Sequence, residues 1–296
     1  MNWLLEEPRT TDDFSYTLPT ETDVQRKNLV YLLLDLELRY GRNGAIPFAR
    51  EPTTRELCLS RFEEVATSFG KMVGLSWMRR HQDYFQEIDE ATAGNILYTL
   101  HAAMREAGLH PPPPSEGDNV DFLTPGLLHG SVDCDIYSFV VLGVAERYEI
   151  PLAGVQSPRH FFTRWESRQV RLNYDQGNIS ESDDQYVDGS YTNPLERHIS
   201  LESLAQETYL RRLTKLETVA DHLGTIASGL IKNNELETAL ELTTLATRWA
   251  PRIAIVHYER ARALQGLHRL GEAMNEYRIV AALDPGFPSL LFRAGW

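Results

Sequence analysis

The chain has 296 residues, of which 42% are apolar and 24% are charged, and it carries a net charge of −13. This composition is ordinary for a soluble globular protein, and the length suffices for one large domain or two smaller ones. Because nucleic acids and anionic membranes are bound through clustered Lys and Arg, the acidic balance argues against both as partners.

The N-terminal residues 1–13 are acidic and lack the basic start and the long apolar stretch of a secretory signal. No window of the sequence approaches the roughly 18 apolar residues of a membrane-spanning helix. The two cysteines, Cys58 and Cys134, are expected to be thiols, because a protein without an export signal meets a reducing compartment by default. We therefore expect a cytoplasmic protein, although export as a secreted effector through an unrecognised signal stays open.

The first part of the chain, about residues 20–109, is predicted to be helical, because apolar residues recur every three or four positions. Asp89 is a good N-cap and Gly108 a good C-terminal stop for the last of these helices. Residues 110–119 contain four consecutive prolines, and we interpret them as a stiff connector. The helices are expected at residues 21–40, 54–70 and 89–107.

A buried helix is predicted to begin at Cys134 and to run to about Tyr148, with Ser131 or Asp133 as its N-cap. In the first turn of a helix, N–H groups without a backbone partner and the helix dipole favour a thiolate. The same N–H groups can stabilise an oxyanion. Cys134 is therefore well placed for a nucleophile, whereas Cys58 lies within an ordinary helix and is expected to be a small buried residue.

Three strands are predicted after this helix, and the second and third carry chemically useful side chains. Alternation puts His160 on one face of the second strand, and Asn173 and Asp175 on one face of the third. A four-residue loop between them places His160 directly opposite Asp175, with Cβ atoms roughly 4.5–5.5 Å apart. The carboxylate can then orient the imidazole, whose other nitrogen faces Cys134. The strands are expected at residues 151–155, 160–165 and 170–175, with 166–169 as the loop.

This register has two further consequences. It pairs Trp165 with Val170, and it sets Arg164 opposite Arg171, which is mildly unfavourable because like charges repel. The next segment, residues 176–195, is rich in Asn, Asp, Ser and Gly and is predicted to be a long loop.

The last third of the chain, from about residue 200, is predicted to be helical and contains an internal repeat of 34 residues. Small residues coincide between the two units, and Pro251 at the end of one coincides with Pro285 at the end of the other. A 34-residue helix–turn–helix with this pattern resembles the tetratricopeptide repeat. Because about three units are usually needed for a free-standing array, the two are expected to pack on other helices, within residues 201–219. The units are expected at about residues 218–251 and 252–285.

The segment around these cysteine, histidine and acidic residues resembles the transglutaminase-like superfamily, which has a papain-like cysteine fold. Members carry a Cys at a helix start, a His before an aromatic strand and an acidic residue on the next strand. A bacterial branch continues directly into tetratricopeptide repeats, and the resemblance to it covers roughly residues 90–285. The matching residues are Asp133-Cys134-Asp135, His160-Phe161-Phe162 and Asn173-Tyr174-Asp175, and for the bacterial branch Asn95-Ile96-Leu97, Phe122-Leu123 and Tyr209-Leu210-Arg211-Arg212-Leu213-Thr214.

The resemblance implies a catalytic triad in which Cys134 is the nucleophile, His160 its base and Asp175 the residue that orients the imidazole. Asn173 lies on the same strand face as Asp175 and is the alternative orienter. A thiol is mostly protonated at neutral pH, so a neighbouring imidazole is needed to deprotonate it and later to protonate the leaving group.

The oxyanion hole and the substrate-binding groove are predicted less completely than the triad. The Cys134 backbone N–H is one expected oxyanion donor, and Asn119 and His129 are the candidates for the other. Two positions depart from the family pattern. Residues 129–132 stand where Arg-Arg-Gly is common before the Cys, and Arg159 stands where Gly is common before the His. These changes bear on the choice of substrate and remove no catalytic atom.

The expected function is that of a cysteine enzyme that attacks an amide or peptide carbonyl and forms a Cys134 thioester, with peptide or amide hydrolysis as the simplest outcome. A transglutaminase or glutamine deamidase shares the first step and stays open, as does a non-catalytic scaffold that uses its repeats. The expected partners are a protein or peptide substrate and a protein bound to the repeats. No metal or cofactor is expected, because zinc-ligand spacing and nucleotide-binding motifs are missing from the sequence.

These patterns together predict an α+β protein in two parts. Residues 1–195 are expected to form a transglutaminase-like cysteine domain, whose helical part (20–109) packs on a core with a small antiparallel sheet (120–178). Residues 196–296 are expected to form an all-α region with the two tetratricopeptide-like repeats.

Overall fold

The structure is a computed structural model and describes residues 18–41, 44–47, 49, 53–74, 84–111, 122–188 and 199–287. These residues are mostly helical with one small four-stranded antiparallel sheet, so the predicted α+β class is confirmed. The helices are α1 (Glu21–Arg26), α2 (Leu29–Tyr40), α3 (Thr54–Val73), α4 (Tyr84–Glu87), α5 (Glu90–Glu106), α6 (Leu123–His129), α7 (Cys134–Tyr148), α8 (Asp184–Val187), α9 (Leu201–Ala205), α10 (Lys215–Lys232), α11 (Leu236–Trp249), α12 (Ala254–Gly266) and α13 (Leu270–Leu283). The strands are β1 (Leu152–Ser157), β2 (His160–Glu166), β3 (Arg171–Asp175) and β4 (Asn178–Ser180).

The first predicted helix is interrupted, and its residues form α1 and α2 instead of one helix. The Asn28 side chain accepts a hydrogen bond from the Val30 N–H and donates one to the Gly143 carbonyl of α7. An Asn side chain that bonds nearby backbone in this way replaces the helical ladder and starts a new helix. The sequence pattern predicted the helical residues correctly and their continuity wrongly.

The N-caps predicted for two later helices are confirmed. Asp89 accepts a hydrogen bond from the Thr92 N–H at 2.8 Å and starts α5. Asp133 accepts one from the Ile136 N–H at 3.1 Å and starts α7 at Cys134. A side-chain oxygen at this position satisfies an N–H group that has no partner inside the helix.

Helix α7 lies at the centre of the molecule, with α2 and α3 on one side and β1 and β2 on the other. Its side chains are buried almost all round, as expected for a helix that is apolar on every face. A Cβ atom at Gly143 would lie 2.6 Å from Val30 and 3.1 Å from Phe62, so only glycine permits this close packing. This close packing holds α7 against α2 and α3.

The four strands follow one another in the order β1-β2-β3-β4, all antiparallel. The register between β2 and β3 differs by two residues from the prediction, because β2 extends to Glu166 and pairs it with Arg171. This pairing sets opposite charges together and replaces the predicted Arg164–Arg171 pair, since Arg164 now stands opposite Asn173. Because a shift of two residues keeps the side-chain alternation, the predicted faces remain correct.

The predicted long loop at residues 176–195 contains regular structure in its first half. Strand β4 follows a two-residue turn formed by Gln176 and Gly177, both with positive φ, and helix α8 follows shortly after. A two-residue turn with both φ values positive matches the twist of a hairpin. The sequence did not predict these short elements because the segment is rich in polar residues.

The predicted helical segment 201–219 was also wrong in detail, because only Leu201–Ala205 and the start of α10 are helical there.

A buried hydrogen-bonded pair, Glu37 and His222, joins the N-terminal helices to α10. The Glu37 carboxylate of α2 accepts hydrogen bonds from the Leu123 and Thr124 N–H groups at the start of α6, at 2.6 and 2.7 Å. It also contacts Nε2 of His222 on α10 at 2.8 Å, and both side chains are almost fully buried. The main apolar core extends through these helices and across the sheet, so the C-terminal helices pack on the same core as α7.

The C-terminal helices repeat with an offset of 34 residues. Helices α11 and α13 span Leu236–Trp249 and Leu270–Leu283, a shift of 34 at both ends. The turns before them repeat too, because Asn234 and His268 both have positive φ values, near 63° and 60°. Helices α11 and α13 therefore share their length and the turn before them, whereas α10 and α12 coincide under this offset only at their ends, Lys232 and Gly266.

Candidate active site

The thiol of Cys134 lies at the start of α7, where the prediction placed it. The residue is partly buried, and Asp133 caps the helix beside it. The Cys134 and Asp135 amides belong to the first turn, whose N–H groups have no carbonyl partner inside the helix. Their position allows them to stabilise negative charge on a group bound at the sulfur.

The surroundings of this thiol oppose ionisation. Burial is the largest cause, and the neighbouring carboxyls of Asp135 and Asp133 add to it, so the pKa of Cys134 lies well above its ordinary value. The backbone amide of Phe161, the residue after His160, acts in the other direction and lowers the pKa. The sulfur therefore rests as a thiol, next to the start of β2.

The imidazole of His160 is held by Asp175 as predicted. Its Nε2 atom lies 2.7 Å from Oδ2 of Asp175, and both side chains are largely buried. The two residues are not directly opposite each other in the sheet, because β2–β3 pairing ends at Thr163 and Tyr174. The contact is diagonal across the strand ends, a distance that long side chains still span. The other ring nitrogen of His160 is Nδ1.

Two short turns fix the positions of these two residues. Ser157 pairs with His160 across a two-residue turn, in which Arg159 has a φ of 56° and an exposed side chain. The residue at that position must adopt the left-handed region, which explains why glycine suits it. On the other side, Asp175 pairs with Asn178 across the turn that contains Gly177.

Tyr186 of α8 covers the imidazole and its carboxylate, and sequence reasoning missed it. The side chain is fully buried, and its ring stacks on Phe162 at 4.0 Å and 7° and on His160 at 6.0 Å and 17°. Its hydroxyl donates to Oδ2 of Asp175 at 3.4 Å. Burial raises the pKa of this tyrosine, which keeps the hydroxyl protonated as a donor. Nothing in the sequence singled it out, because Tyr186 is one of two tyrosines, with Tyr191, in the polar segment 176–195.

Asn173, the alternative orienter, has a different set of partners. Its oxygen accepts a hydrogen bond from Nε of Arg164 at 2.7 Å, and its nitrogen donates to Asp183 at 2.8 Å and to the Ser182 carbonyl at 3.0 Å. Arg164 is almost fully buried and also donates to Asp183. This network ties the segment before α8 to the sheet and so holds Tyr186 in place.

The remaining predicted site residues are less informative. Asn119 lies outside the described residues, and His129 is the last residue of α6 with an exposed side chain. The choice between them as second oxyanion donor stays a prediction. Cys58 is fully buried inside α3, and its thiol donates to the Thr124 carbonyl at 3.6 Å.

In the part of the chain that the structure describes, no group of three or more His, Cys, Asp or Glu residues is arranged to hold a metal ion. Within the same ranges, no helix is both long and apolar enough to cross a membrane.

Comparison with known proteins gives little further guidance. No protein-family model matches the sequence, and no curated protein is similar to it. A crystal structure of menin, which reveals the binding site for the Mixed Lineage Leukemia (MLL) protein, is similar with a TM-score of 0.44 and 10% identity. The similarity covers 88% of this chain and 68% of menin. At this TM-score and identity it assigns neither a fold nor a function.

Proposed function

We propose that this protein is a transglutaminase-like cysteine enzyme, which acts on an amide or peptide carbonyl through a Cys134 thioester. The observation that carries the proposal is the 2.7 Å contact between Asp175 and His160 at the strand end beside the helix that begins at Cys134. A carboxylate behind an imidazole fixes its tautomer and stabilises the imidazolium that forms during catalysis. Amide or peptide hydrolysis is the simplest outcome of this arrangement.

The reaction begins with a thiol, because the pKa of Cys134 is raised. The Sγ–H proton moves to Nδ1 of His160 while Sγ bonds to the carbonyl carbon, and the carbonyl electrons move onto its oxygen. The intermediate collapses as the C–N bond breaks, and the imidazolium gives its proton to the leaving amine. An acyl-thioester and a neutral imidazole remain. Attack by water then gives hydrolysis, and attack by an amine gives transamidation.

Tyr186 and the network behind it support this chemistry by excluding water from the His160–Asp175 contact. A hydrogen bond to a carboxylate is stronger when water cannot compete for it. Asp175 thereby receives two contacts from side chains that are themselves held in place.

The wider architecture is also part of the proposal. We assign the sheet and α7 to a papain-like core and the helices α10–α13 to two tetratricopeptide-like units, supported by the offset of 34 residues between α11 and α13. A protein docked on these units would be brought close to Cys134 as substrate. The cytoplasmic location stays a prediction.

Alkylation by iodoacetamide slightly below neutral pH tests the catalytic part. Peptide mapping by mass spectrometry gives the rate at each thiol in the wild type and in a His160→Ala variant. We expect Cys134 to react at least about 10-fold faster than Cys58, and His160→Ala to lower the Cys134 rate by about 10²-fold, in line with general-base catalysis. His110→Ala, a change at an exposed histidine outside the triad, serves as the matched control and leaves the rate unchanged.

Equal rates at the two cysteines, or an unchanged rate in His160→Ala, would contradict the enzyme and favour a non-catalytic scaffold. To separate hydrolysis from transamidation, a thioester formed with p-nitrophenyl acetate is exposed to an added primary amine. Transfer of the acetyl group to the amine in place of water identifies the acyltransferase.

A further inference from the structure

One carboxyl outside the proposed triad, that of Asp135, contacts the sulfur of Cys134, and a second, that of Asp221, interacts with Asp135. The Cys134 thiol donates a hydrogen bond to Oδ1 of Asp135 at 3.2 Å, so Asp135 touches the reacting sulfur. Asp221 belongs to α10, is 6% exposed, and accepts a hydrogen bond from Nε2 of Gln156 on β1 at 2.8 Å. The C-terminal helices therefore contribute a buried, titratable residue that is held by β1, the strand that pairs with β2.

Charged groups from three elements interact with this pair. Asp135 interacts with Cys134 on its own helix, with His160 of β2 and with His222 of α10, while Asp221 interacts with Asp135. Asp133, the N-cap of α7, adds a further negative charge near the sulfur. Burial is the main cause of the raised pKa of both Asp135 and Asp221. For Asp221 the pKa rises to about 8, with repulsion from Asp135 as the second cause.

We propose that Asp135 is a further catalytic residue, whose carboxylate accepts the thiol hydrogen and holds Cys134 protonated until His160 removes the proton during attack. Asp221, held by Gln156, interacts electrostatically with Asp135 and adds a second negative charge when it ionises. The inference rests on the proposed function, because it concerns the resting state of the same nucleophile.

The sign of each effect follows from charge repulsion. A carboxylate next to the sulfur disfavours the thiolate and raises the pKa of the thiol, so its removal lowers that pKa. Asp221 carries a proton below about pH 8 and contributes its charge only above that value. Asp135 therefore restrains the thiol wherever its own carboxyl is ionised, and Asp221 strengthens the restraint above about pH 8.

The test is the pH profile of Cys134 alkylation by iodoacetamide in the full-length wild type, in Asp135→Asn and in Asp221→Asn. Asparagine keeps the shape of the side chain and an acceptor oxygen, but not the charge. We expect Asp135→Asn to move the profile to lower pH by about 1–3 units, the usual effect of one adjacent like charge. We expect Asp221→Asn to match the wild type below about pH 8 and to react faster above it.

An unchanged or alkaline-shifted profile in Asp135→Asn would overturn the proposal, as would an Asp221→Asn profile identical to the wild type above pH 8. Slow alkylation of Cys58 reports that each variant is folded, since this thiol becomes accessible only on unfolding. His160→Ala in parallel separates the two proposals. If Cys134 depends on His160 but neither carboxyl change moves the profile, only the role of Asp135 and Asp221 fails.

Discussion

The interior of α3 and the start of α7 each hold a cysteine, and the two thiols differ in a way that pKa alone does not capture. Burial raises the pKa of Cys58 to about 12 and that of Cys134 well above its ordinary value. Cys58 donates to a backbone carbonyl, which accepts a hydrogen bond but cannot take a proton at neutral pH. Cys134 lies beside the strand that begins with His160, whose ring can take one.

On the proposed function, we expect reactivity to depend on an available base more than on the resting charge of the sulfur. The helix start also exposes backbone N–H groups, whereas the interior of α3 has all of its amides engaged in the ladder. The substitutions below remove groups that support the proposed base, His160. We expect the largest of these changes to make Cys134 nearly as unreactive as Cys58.

Removal of the carboxylate behind the imidazole has the largest expected effect. We expect Asp175→Ala to lower the rate of Cys134 acylation by p-nitrophenyl acetate by about 10²–10⁴-fold, because loss of this carboxylate misorients the base. Asn173→Ala is the matched change at the alternative orienter, and we expect its rate to stay within about 10-fold of the wild type, since Asn173 contacts Arg164 and Asp183. The reverse order of the two effects would make Asn173 the orienter.

Substitution of Tyr186, whose ring covers the imidazole of His160, has the next largest expected effect. We expect Tyr186→Phe to lower the acylation rate only a few-fold, because the ring stack remains and a single contact at 3.4 Å is lost. Tyr186→Ala removes the stack and admits water, and we expect a decrease of about 10–100-fold, together with a loss of about 3–5 kcal/mol in the free energy of unfolding. Urea unfolding and burst kinetics measure the two quantities separately. Equal rates in both variants would show that Tyr186 acts only on stability.

The turn before His160 gives the smallest effect, and it is one of stability. Arg159 has a φ of 56°, in the left-handed region, which costs a non-glycine residue about 1–2 kcal/mol. We expect Arg159→Gly to raise the free energy of unfolding by about 0.5–1 kcal/mol, after the greater entropy of glycine in the unfolded chain is subtracted. Arg159→Ala removes the same exposed side chain without relieving the backbone, and is expected to stay within about 0.5 kcal/mol of the wild type. A gain in Arg159→Ala equal to that in Arg159→Gly would assign the effect to the side chain.

Much of the site's local structure could be predicted because its signals are local. The Asp133 cap, the helix start at Cys134 and the alternation that aligns His160 with Asp175 each depend on residues close in sequence. The predicted register between β2 and β3 was wrong by two residues because β2 extends to Glu166, which pairs with Arg171. The hydrophobic pattern cannot detect a shift of two residues, since such a shift leaves every side chain on the same face.

The rest could not be predicted because it depends on contacts between distant residues. Tyr186 and Asp183 lie in a polar segment whose order comes from the buried Arg164 and from Phe162. Asp221 reaches the site only because α10 packs against β1, which no spacing rule in the sequence encodes. The repeat period of 34 residues, by contrast, could be predicted from the sequence, because each unit encodes its own pair of helices.

Acylation of the intact protein by p-nitrophenyl acetate at neutral pH, followed by peptide mapping, tests the nucleophile most directly. We predict an acetyl group on Cys134 in the wild type within the burst phase, and none on Cys134 over the same time in His160→Ala. Acetylation of Cys58 or of surface lysines before Cys134, or equal acetylation of Cys134 with and without His160, would contradict the assignment of Cys134 as an enzymatic nucleophile.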